Sequence, residues 1–309
     1  MRIDLSIIIV NYNGIRFLAD CLNSIREHVS CPHEVIVVDN ASTDRSGELL
    51  RKHFPHVHLI DSEKNLGFSG GNNLGANASN GDLLLLLNND TRLISSLTPA
   101  IKEFDAHKQL GVLGCRMFYE NGDFQPSVGF EHTPLRLGLS WTGIGGFSFA
   151  PRIFKRVDDE KGHYKVPHEA AWVSGAFLMT RKYIWDKLGG LDERYFMYME
   201  DVDYCRRARI AGYKVAYTPI VEIIHYEGAG KAWIGEKALT DSMRSYIVYI
   251  GKFQSKYTVL LNRIALFAVM TARASAYGIA SLVSRSQMYK EKRMGYFKAA
   301  KALLVKHID

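Results

Sequence analysis

Apolar runs punctuate the first ninety residues, and each one ends in polar side chains. Leu5–Val10 leads into Asn11, Tyr12, Asn13 and Gly14; Val35–Val38 leads into Asp39 and Asn40; Leu83–Leu87 leads into Asn88, Asn89 and Asp90. Runs that are continuously apolar, rather than alternating, predict strands buried on both faces. Between them, Phe17, Leu18, Cys21, Leu22 and Ile25 recur at helical spacing, and "RSGELLRKHF" reads as a second helix. "HVHLIDSEKNLGFSGGNNLGANAS" predicts a third strand, a glycine-rich loop and a short helix. Strands alternating with helices imply a parallel α/β sheet. The polar residues gather at the C-terminal ends of the strands, the edge at which open α/β sheets bind ligands.

The pattern then loosens. Residues 116–168 mix seven glycines with prolines and aromatics and read as a long irregular segment, the kind that often forms a lid or binding loop. Regularity returns with "AAWVSGAFLMTR" as a strand, then a short helix, a loop, a helix over 200–211 and a strand closing at His225. Farther on, the apolar stretch 257–284 is cut by Arg263 and Arg273, with Arg285 just beyond, into charge-free pieces of nine and eleven residues. Both fall short of the 18 or so residues of a spanning helix. The stretch is therefore expected either to pack on the rest of the chain or to lie in a membrane interface with its arginines at headgroup level.

Charge sharpens that choice. The 309 residues carry a formal +7, but 231–309 hold 14 Lys/Arg against 4 Asp/Glu, which leaves residues 1–230 slightly acidic. Two regions follow: 1–230, and a basic, mainly helical extension over 231–309. In the extension, the segment from Tyr289 interleaves lysines and arginines with Tyr296, Phe297, Leu303 and Leu304, which favours an anionic membrane surface as a partner and not nucleic acid. The four cysteines, Cys21, Cys31, Cys115 and Cys205, lack close C-x-x-C spacing and read as reduced thiols. The N-terminus runs straight into a strand-like segment with no signal-peptide pattern, which points to the cytoplasm and the inner face of the membrane.

Any one polar strand end could be an ordinary turn. Together, "SIIIVNYNG", "VIVVDNASTD", "NLGFSGGNNLG", "LLLLLNND", "WVSGAFLMTR" and "GGLDERYFMYMEDVDYCRRARIAGYKV" resemble, in order, the family-2 glycosyltransferases of the GT-A fold. Within them, they are similar to bacterial rhamnosyltransferase-like enzymes of cell-surface polysaccharide synthesis. The resemblance covers roughly residues 5–230. It implies a GT-A α/β fold and an inverting transfer of a sugar, rhamnose or a similar hexose. The donor would be a nucleoside diphosphate sugar and the acceptor a hydroxyl of a lipid-linked or polysaccharide molecule.

The resemblance also assigns residues. Asp90 takes the place of the last acid of a D-x-D motif that holds Mg²⁺ or Mn²⁺ against the donor diphosphate, whose departing negative charge such an ion stabilises. Asn88 stands where the first acid would be and removes one negative charge. His225 resembles the late histidine that completes the metal site. Asp201 is the expected general base, although Glu200, Asp201 and Asp203, followed by Arg206, Arg207 and Arg209, would also suit the start of a helix. Asn11, Tyr12, Asn13, Asp39, Asn65, Gly71, Asn72, Asn88 and Asn89 are expected around the nucleotide sugar, with the glycines admitting close backbone approach. Trp172, Ser174, Gly175 and Glu200 are expected on the acceptor side. "GFSGGNNLG" is not G-x-G-x-x-G, which disfavours a nicotinamide enzyme, and the first turn lacks the G-x-G-T-R loop of a sugar nucleotidyltransferase. A non-catalytic binding protein on a degenerate transferase fold is the other alternative, suggested by Asn88.

Overall fold

The computed structural model describes residues 3–147, 149–226, 235–284 and 286–304. The order is β1 (Leu5–Asn11), α1 (Ile15–His28), β2 (His33–Asp39), α2 (Ser46–His53), β3 (His58–Asp61), α3 (Gly67–Asn77), β4 (Leu83–Leu87), β5 (Thr91–Leu93), α4 (Thr98–Ala106) and β6 (Leu110–Phe118). Then come β7 (Phe124–Gln125), β8 (Val128–Gly129), α5 (Pro134–Ser140), β9 (His168–Glu169), β10 (Trp172–Val173), β11 (Phe177–Arg181), α6 (Lys182–Leu188), α7 (Glu200–Ile210) and β12 (Lys214–His225). Three helices end the described chain: α8 (Gly235–Phe253), α9 (Lys256–Ser284) and α10 (Gln287–Leu304).

The chain forms two compact units. The first takes the residues up to Phe130, Val157–Glu193 and the run from Glu200 through β12; the second takes Glu131–Arg156, Arg194–Met199 and the C-terminal helices. The expected boundary between 230 and 231 lies outside the described residues. The division is also not a single cut, because 131–156 packs with the C-terminal helices: His132 meets the Tyr249 ring edge-on, and Trp141 bonds Arg273.

In the first unit the sheet runs β3-β2-β1-β4-β11-β6-β12-β5. The pairs β1–β2, β1–β4, β2–β3 and β6–β12 are parallel, while β11 and β5 run antiparallel to their neighbours. Side chains alternate across a strand, and the five leucines of β4 show what this means for a continuous run. Leu83, Leu85 and Leu87 enter one core with α1, α2 and α4. Leu84 and Leu86 enter the other with residues of α3, α6 and α7. All five are buried, each burial favouring the fold by roughly 1.5–3 kcal/mol.

Three readings of this unit need correction. The glycine-rich run is not a loop: Gly67–Asn77 is helix α3. Glycine is a poor helix former, but a Cβ on Gly71 would sit 2.7 Å from the side chain of Val10, and one on Gly75 would sit 2.5 Å from that of Ile8. The glycines are there to let α3 lie close on β1, and packing overrides propensity. Second, "AAWVSGAFLMTR" is not one strand; it breaks at Ser174–Ala176 between β10 and β11, which belong to different sheets. Third, 116–168 is not a single irregular lid. Residues 116–118 complete β6, and the remainder divides between the two units.

In the second unit, α8, α9 and α10 pack around Met243, Tyr246, Leu266, Met270, Tyr296 and Leu303. Of the two placements expected for this stretch, the one with arginines at headgroup level does not fit Arg263 and Arg273. Arg263 donates twice, at 2.9 and 2.6 Å, to the carbonyl of Leu303 near the end of α10, where orphan carbonyls need donors. Arg273 donates to the carbonyl of Trp141 at 3.1 Å and lies over the Tyr296 ring at 4.6 Å. Both arginines bind within the unit, while Tyr257, Leu260, Leu261, Ile264, Ile279, Leu282 and Val283 are exposed. Arg285 lies outside the described residues. The arginines do not end the helix either: α9 is long and apolar enough to cross a membrane by length and composition, and 22% of its most apolar window is buried.

Candidate active site

Each strand of the parallel half releases its polar residues at one edge of the sheet, and hydrogen bonds there tie the loops together. Asn11, at the end of β1, is wholly buried. Its amide nitrogen reaches Ser46 Oγ at 2.7 Å, Ser42 Oγ at 3.1 Å and Asp39 Oδ1 at 3.4 Å. Its Oδ1 accepts from Asn89 Nδ2 at 2.9 Å. Asn11 therefore joins the ends of β1, β2 and β4. Gly14 makes this possible, because a Cβ there would lie 2.0 Å from Asn89 Nδ2 and 2.5 Å from Asn11 Oδ1. Asn13, in the left-handed region at φ 53°, accepts from the Thr43 backbone at 2.7 Å, and Tyr12 stands half exposed. Asn65 Oδ1 accepts from Asn40 Nδ2 at 3.0 Å and from the Gly67 backbone at 2.9 Å. Gly71 faces Val10, and Asn72 is buried with its amide on the Phe68 carbonyl, 2.9 Å away and one helical turn back.

Asp90 and His225 are brought together by the sheet. β5 starts directly after Asp90 and pairs with the end of β12, so that Thr91 lies opposite His225. The Tyr226 N–H donates to the Asp90 carbonyl at 2.9 Å. As a result His225 Nε2 lies 3.4 Å from Asp90 Oδ1, with the two side chains 12% and 16% exposed. Asn88 Nδ2 is also 3.4 Å from Nε2. On the far side of the ring, Gln125 Nε2 is 3.2 Å from Nδ1.

Asp201 sits in the first turn of α7. Its Oδ2 accepts from the Gly175 N–H at 2.9 Å and its Oδ1 from the Val202 N–H at 2.8 Å. Burial pushes its carboxyl above the usual aspartate range, and the two N–H groups oppose the rise. Glu200 beside it is buried and pushed well above the glutamate range, first by burial and then by the charge of Asp201. Asp203, in the same first turn, has a packing role as well. It is fully buried and bonds Arg207 Nε at 2.6 Å, and that guanidinium clamps the carbonyls of Leu188 and Gly190, both at 2.7 Å.

Two backbone hydrogen bonds link the acidic edge to the Asp201 carboxylate. The Asn88 N–H donates to the Ala176 carbonyl at 3.1 Å, and the preceding residue, Gly175, donates to Asp201. Ser174 caps the Ala176 N–H at 3.3 Å, while the Trp172 indole is committed to the Phe130 carbonyl at 3.1 Å. Several members of this site were not singled out from the sequence: Ser42, Asp44 and Ser46, which bind the β1 and β2 loops together, and Gln125. The first three carry the common turn signal of Ser and Asp. Gln125, on a two-residue strand, carries none.

The donor set at this edge fits a divalent ion. Asp90 Oδ1 and His225 Nε2, 3.4 Å apart, are near the roughly 3 Å expected of neighbouring ligands that each bind at about 2.1 Å. Among the described residues no group of three or more His, Cys, Asp or Glu could hold a metal. A sparse protein set of this kind suits an ion that takes its remaining ligands from water and substrate phosphates.

A mostly parallel sheet with polar strand ends, a carboxylate–imidazole pair and a buried carboxylate at a helix start describes an α/β group-transfer enzyme. Residues 6–188 match the model of glycosyl transferase family 2; the match covers more than half the chain, and the chain belongs to this family. It is similar to the low-salt glycan biosynthesis hexosyltransferase Agl10 of Haloferax volcanii, with 26% identity across 84% of this chain and 78% of the relative. It is similar to the N-acetylglucosaminyl-diphospho-decaprenol L-rhamnosyltransferase of Mycobacterium tuberculosis, with 26% identity across 72% of this chain and 76% of the relative. Among solved structures it is similar to GalNAc-T7 with UDP, GalNAc and Mn²⁺, at a TM-score of 0.60 and 16% identity. That match covers 82% of this chain and 49% of the other, so the chain spans about half that protein's length. The fold is that of the GT-A glycosyltransferases, a central, mostly parallel sheet with a helical C-terminal region.

Proposed function

We propose that this glycosyltransferase moves rhamnose or a similar hexose, with inversion, from a nucleoside diphosphate donor to a hydroxyl of a lipid-linked acceptor in bacterial cell-surface glycan synthesis. The observation that carries the reading is the hydrogen-bonded path from Asn88 through Ala176 and Gly175 to Asp201, which ties a phosphate-side pair to a buried base. Asp201 takes the proton of the acceptor hydroxyl as that oxygen bonds to the anomeric carbon, and the bond from that carbon to the diphosphate breaks on the opposite side. A raised carboxyl is better matched to this work near neutrality than an ordinary aspartate. Asp90 and His225 would hold Mg²⁺ or Mn²⁺, with Asn88 beside them on the donor side. When bound, that ion neutralises charge gathering on the departing diphosphate. Asn11, Tyr12, Asn13, Asp39, Asn65, Gly71, Asn72 and Asn89 shape the donor side; Trp172, Ser174, Gly175 and Glu200 shape the acceptor side. The GalNAc-T7 structure, with its UDP, GalNAc and Mn²⁺, supports the metal. The diphospho-decaprenol relative supports a lipid-linked acceptor.

An acceptor on a lipid carrier is displayed at a membrane surface, and the second unit suits such a surface. The outward apolar residues of α9 would enter the interface while the lysines of α10 meet anionic headgroups, each basic residue adding roughly 1 kcal/mol. The reading is tested with purified protein, Mg²⁺ and a panel of dTDP-, UDP- and GDP-sugars, following label transfer to a polyprenyl-diphospho-sugar. Transfer from dTDP-rhamnose is expected, and transfer is lost on addition of EDTA. Full activity in EDTA overturns the metal assignment, and absence of transfer or donor hydrolysis with every sugar overturns the catalytic one. Sedimentation with liposomes should rise with anionic lipid content; no binding to a purely anionic membrane at low salt overturns the membrane reading.

A further inference from the structure

The sheet places Gln125 beside His225 although a third strand lies between their own. Gln125 on β7 is opposite Met117 of β6, and Met117 is opposite Ile223 of β12. Residues two apart on a strand share a face, so Gln125, Met117, Ile223 and His225 stand on one side of the sheet. The Gln125 side chain crosses β6 there and meets Nδ1 of the imidazole at 3.2 Å. Gln125 is 5% exposed, and its other amide atom, Oε1, is buried without a hydrogen-bond partner among the described residues. A buried acceptor left unused costs about 1–3 kcal/mol, so this atom needs a reason.

The imidazole provides one. Its Nε2 faces opposite demands: Asn88 Nδ2, a donor, and Asp90 Oδ1, an acceptor, both lie at 3.4 Å. If Nε2 carries the proton and gives it to Asp90, Nδ1 is an acceptor and suits the Gln125 N–H as drawn. If Nε2 keeps its lone pair for a cation, Nδ1 carries the proton and needs an acceptor. Rotating the Gln125 amide by half a turn presents Oε1, and the two amide ends have nearly the same shape. A glutamine can serve both forms of the ring, whereas a glutamate or a leucine at this position can serve only one or neither.

We infer that Gln125 is a positioning residue for His225, whose amide rotates from donor to acceptor and so holds the ring with Nε2 free to bind the cation. The inference rests on the reading of Asp90 and His225 as the metal pair. It acts through the ring and touches no substrate. Outer partners of ligating histidines typically change metal affinity 10- to 100-fold.

The experiment measures Mg²⁺ binding by calorimetry in the presence of UDP, together with the ¹⁵N chemical shifts of the His225 ring, assigned by loss of the signal in His225→Ala. In the wild type, the ring should carry its proton on Nδ1 when Mg²⁺ and UDP are present. Gln125→Leu should weaken Mg²⁺ binding 10- to 100-fold, leave a mixture of ring forms and keep UDP binding without metal. Gln125→Glu, which offers only acceptor oxygens, should hold the proton on Nδ1 even before Mg²⁺ is added and restore metal binding. If Mg²⁺ leaves the wild-type ring unchanged and binds no more tightly than to His225→Ala, the metal-pair reading itself fails. If the wild type responds but both variants match it in affinity and ring form, the metal pair stands and the role of Gln125 is overturned.

Discussion

β4 and α9 are both apolar runs rich in leucine, and they meet opposite fates. The five leucines of β4 divide between two cores, because a strand in the middle of a layered sheet is covered on both sides. α9 buries Leu266, Met270 and Ala274 and leaves Leu261, Leu282 and Val283 open, while its arginines turn inward. The difference teaches that apolar content alone does not say what covers it. A strand between two helical layers has no free face, while a helix in a small bundle has one face for its neighbours and one for whatever lies outside.

In the proposed function the two regions also divide the work, and the largest expected effect tests this division at its chemical end. Asp201→Asn keeps size and removes the proposed base, so kcat should fall ~10²- to 10⁴-fold with donor affinity and melting temperature little changed. A near wild-type kcat would move the base to another carboxylate. The contrast between the two apolar runs comes next. Leu85→Ala should cost ~2–5 kcal/mol in denaturant unfolding. Leu282→Ala on α9 should stay within about 0.5 kcal/mol, and Leu282→Glu should weaken liposome binding without lowering stability. Equal costs at both positions would break the comparison. Smaller again is Gly14→Ala, which forces a methyl group into the Asn11–Asn89 contact and should cost about 1–3 kcal/mol, with a loss of donor affinity seen in UDP titration.

The smallest expected signal is a slope. Glu200 is raised well above the glutamate range, so its contribution to stability is fully present below the ordinary carboxylate pKa and is lost as pH rises through the raised value. Glu200→Gln should therefore flatten the melting temperature against pH and melt higher than the wild type at neutral pH. An unchanged profile would mean that Glu200 is not strained by burial.

Much of the first unit was legible because its strands are continuous and its polar residues fall at their ends. β4 ending in Asn88, Asn89 and Asp90 carries its own position in the fold, and α7 begins with Glu200 where the sequence predicted a helix. Other features depend on neighbours that no local pattern reveals. Gly71 reads as a loop residue until Val10 is seen against it. Asp203 reads as a first-turn acid, but nothing local shows Arg207 reaching from it to the turn at 188–190. Gln125 lies on a two-residue strand whose only signal is its pairing with β6. The arginines of α9 could be read either as packed or as membrane-facing, because sequence spacing does not say which face of a helix meets its own unit.

The ladder that joins β5 to β12 has a consequence for synthesis. Asn88 and His225 are 137 positions apart, and at translation speeds of about 5–20 residues per second the ribosome needs roughly 7–27 s to pass from one to the other. Through that interval the nascent chain already owns its first strands but has no imidazole to set beside Asp90. The pair is completed by one of the last strands of the sheet to be made.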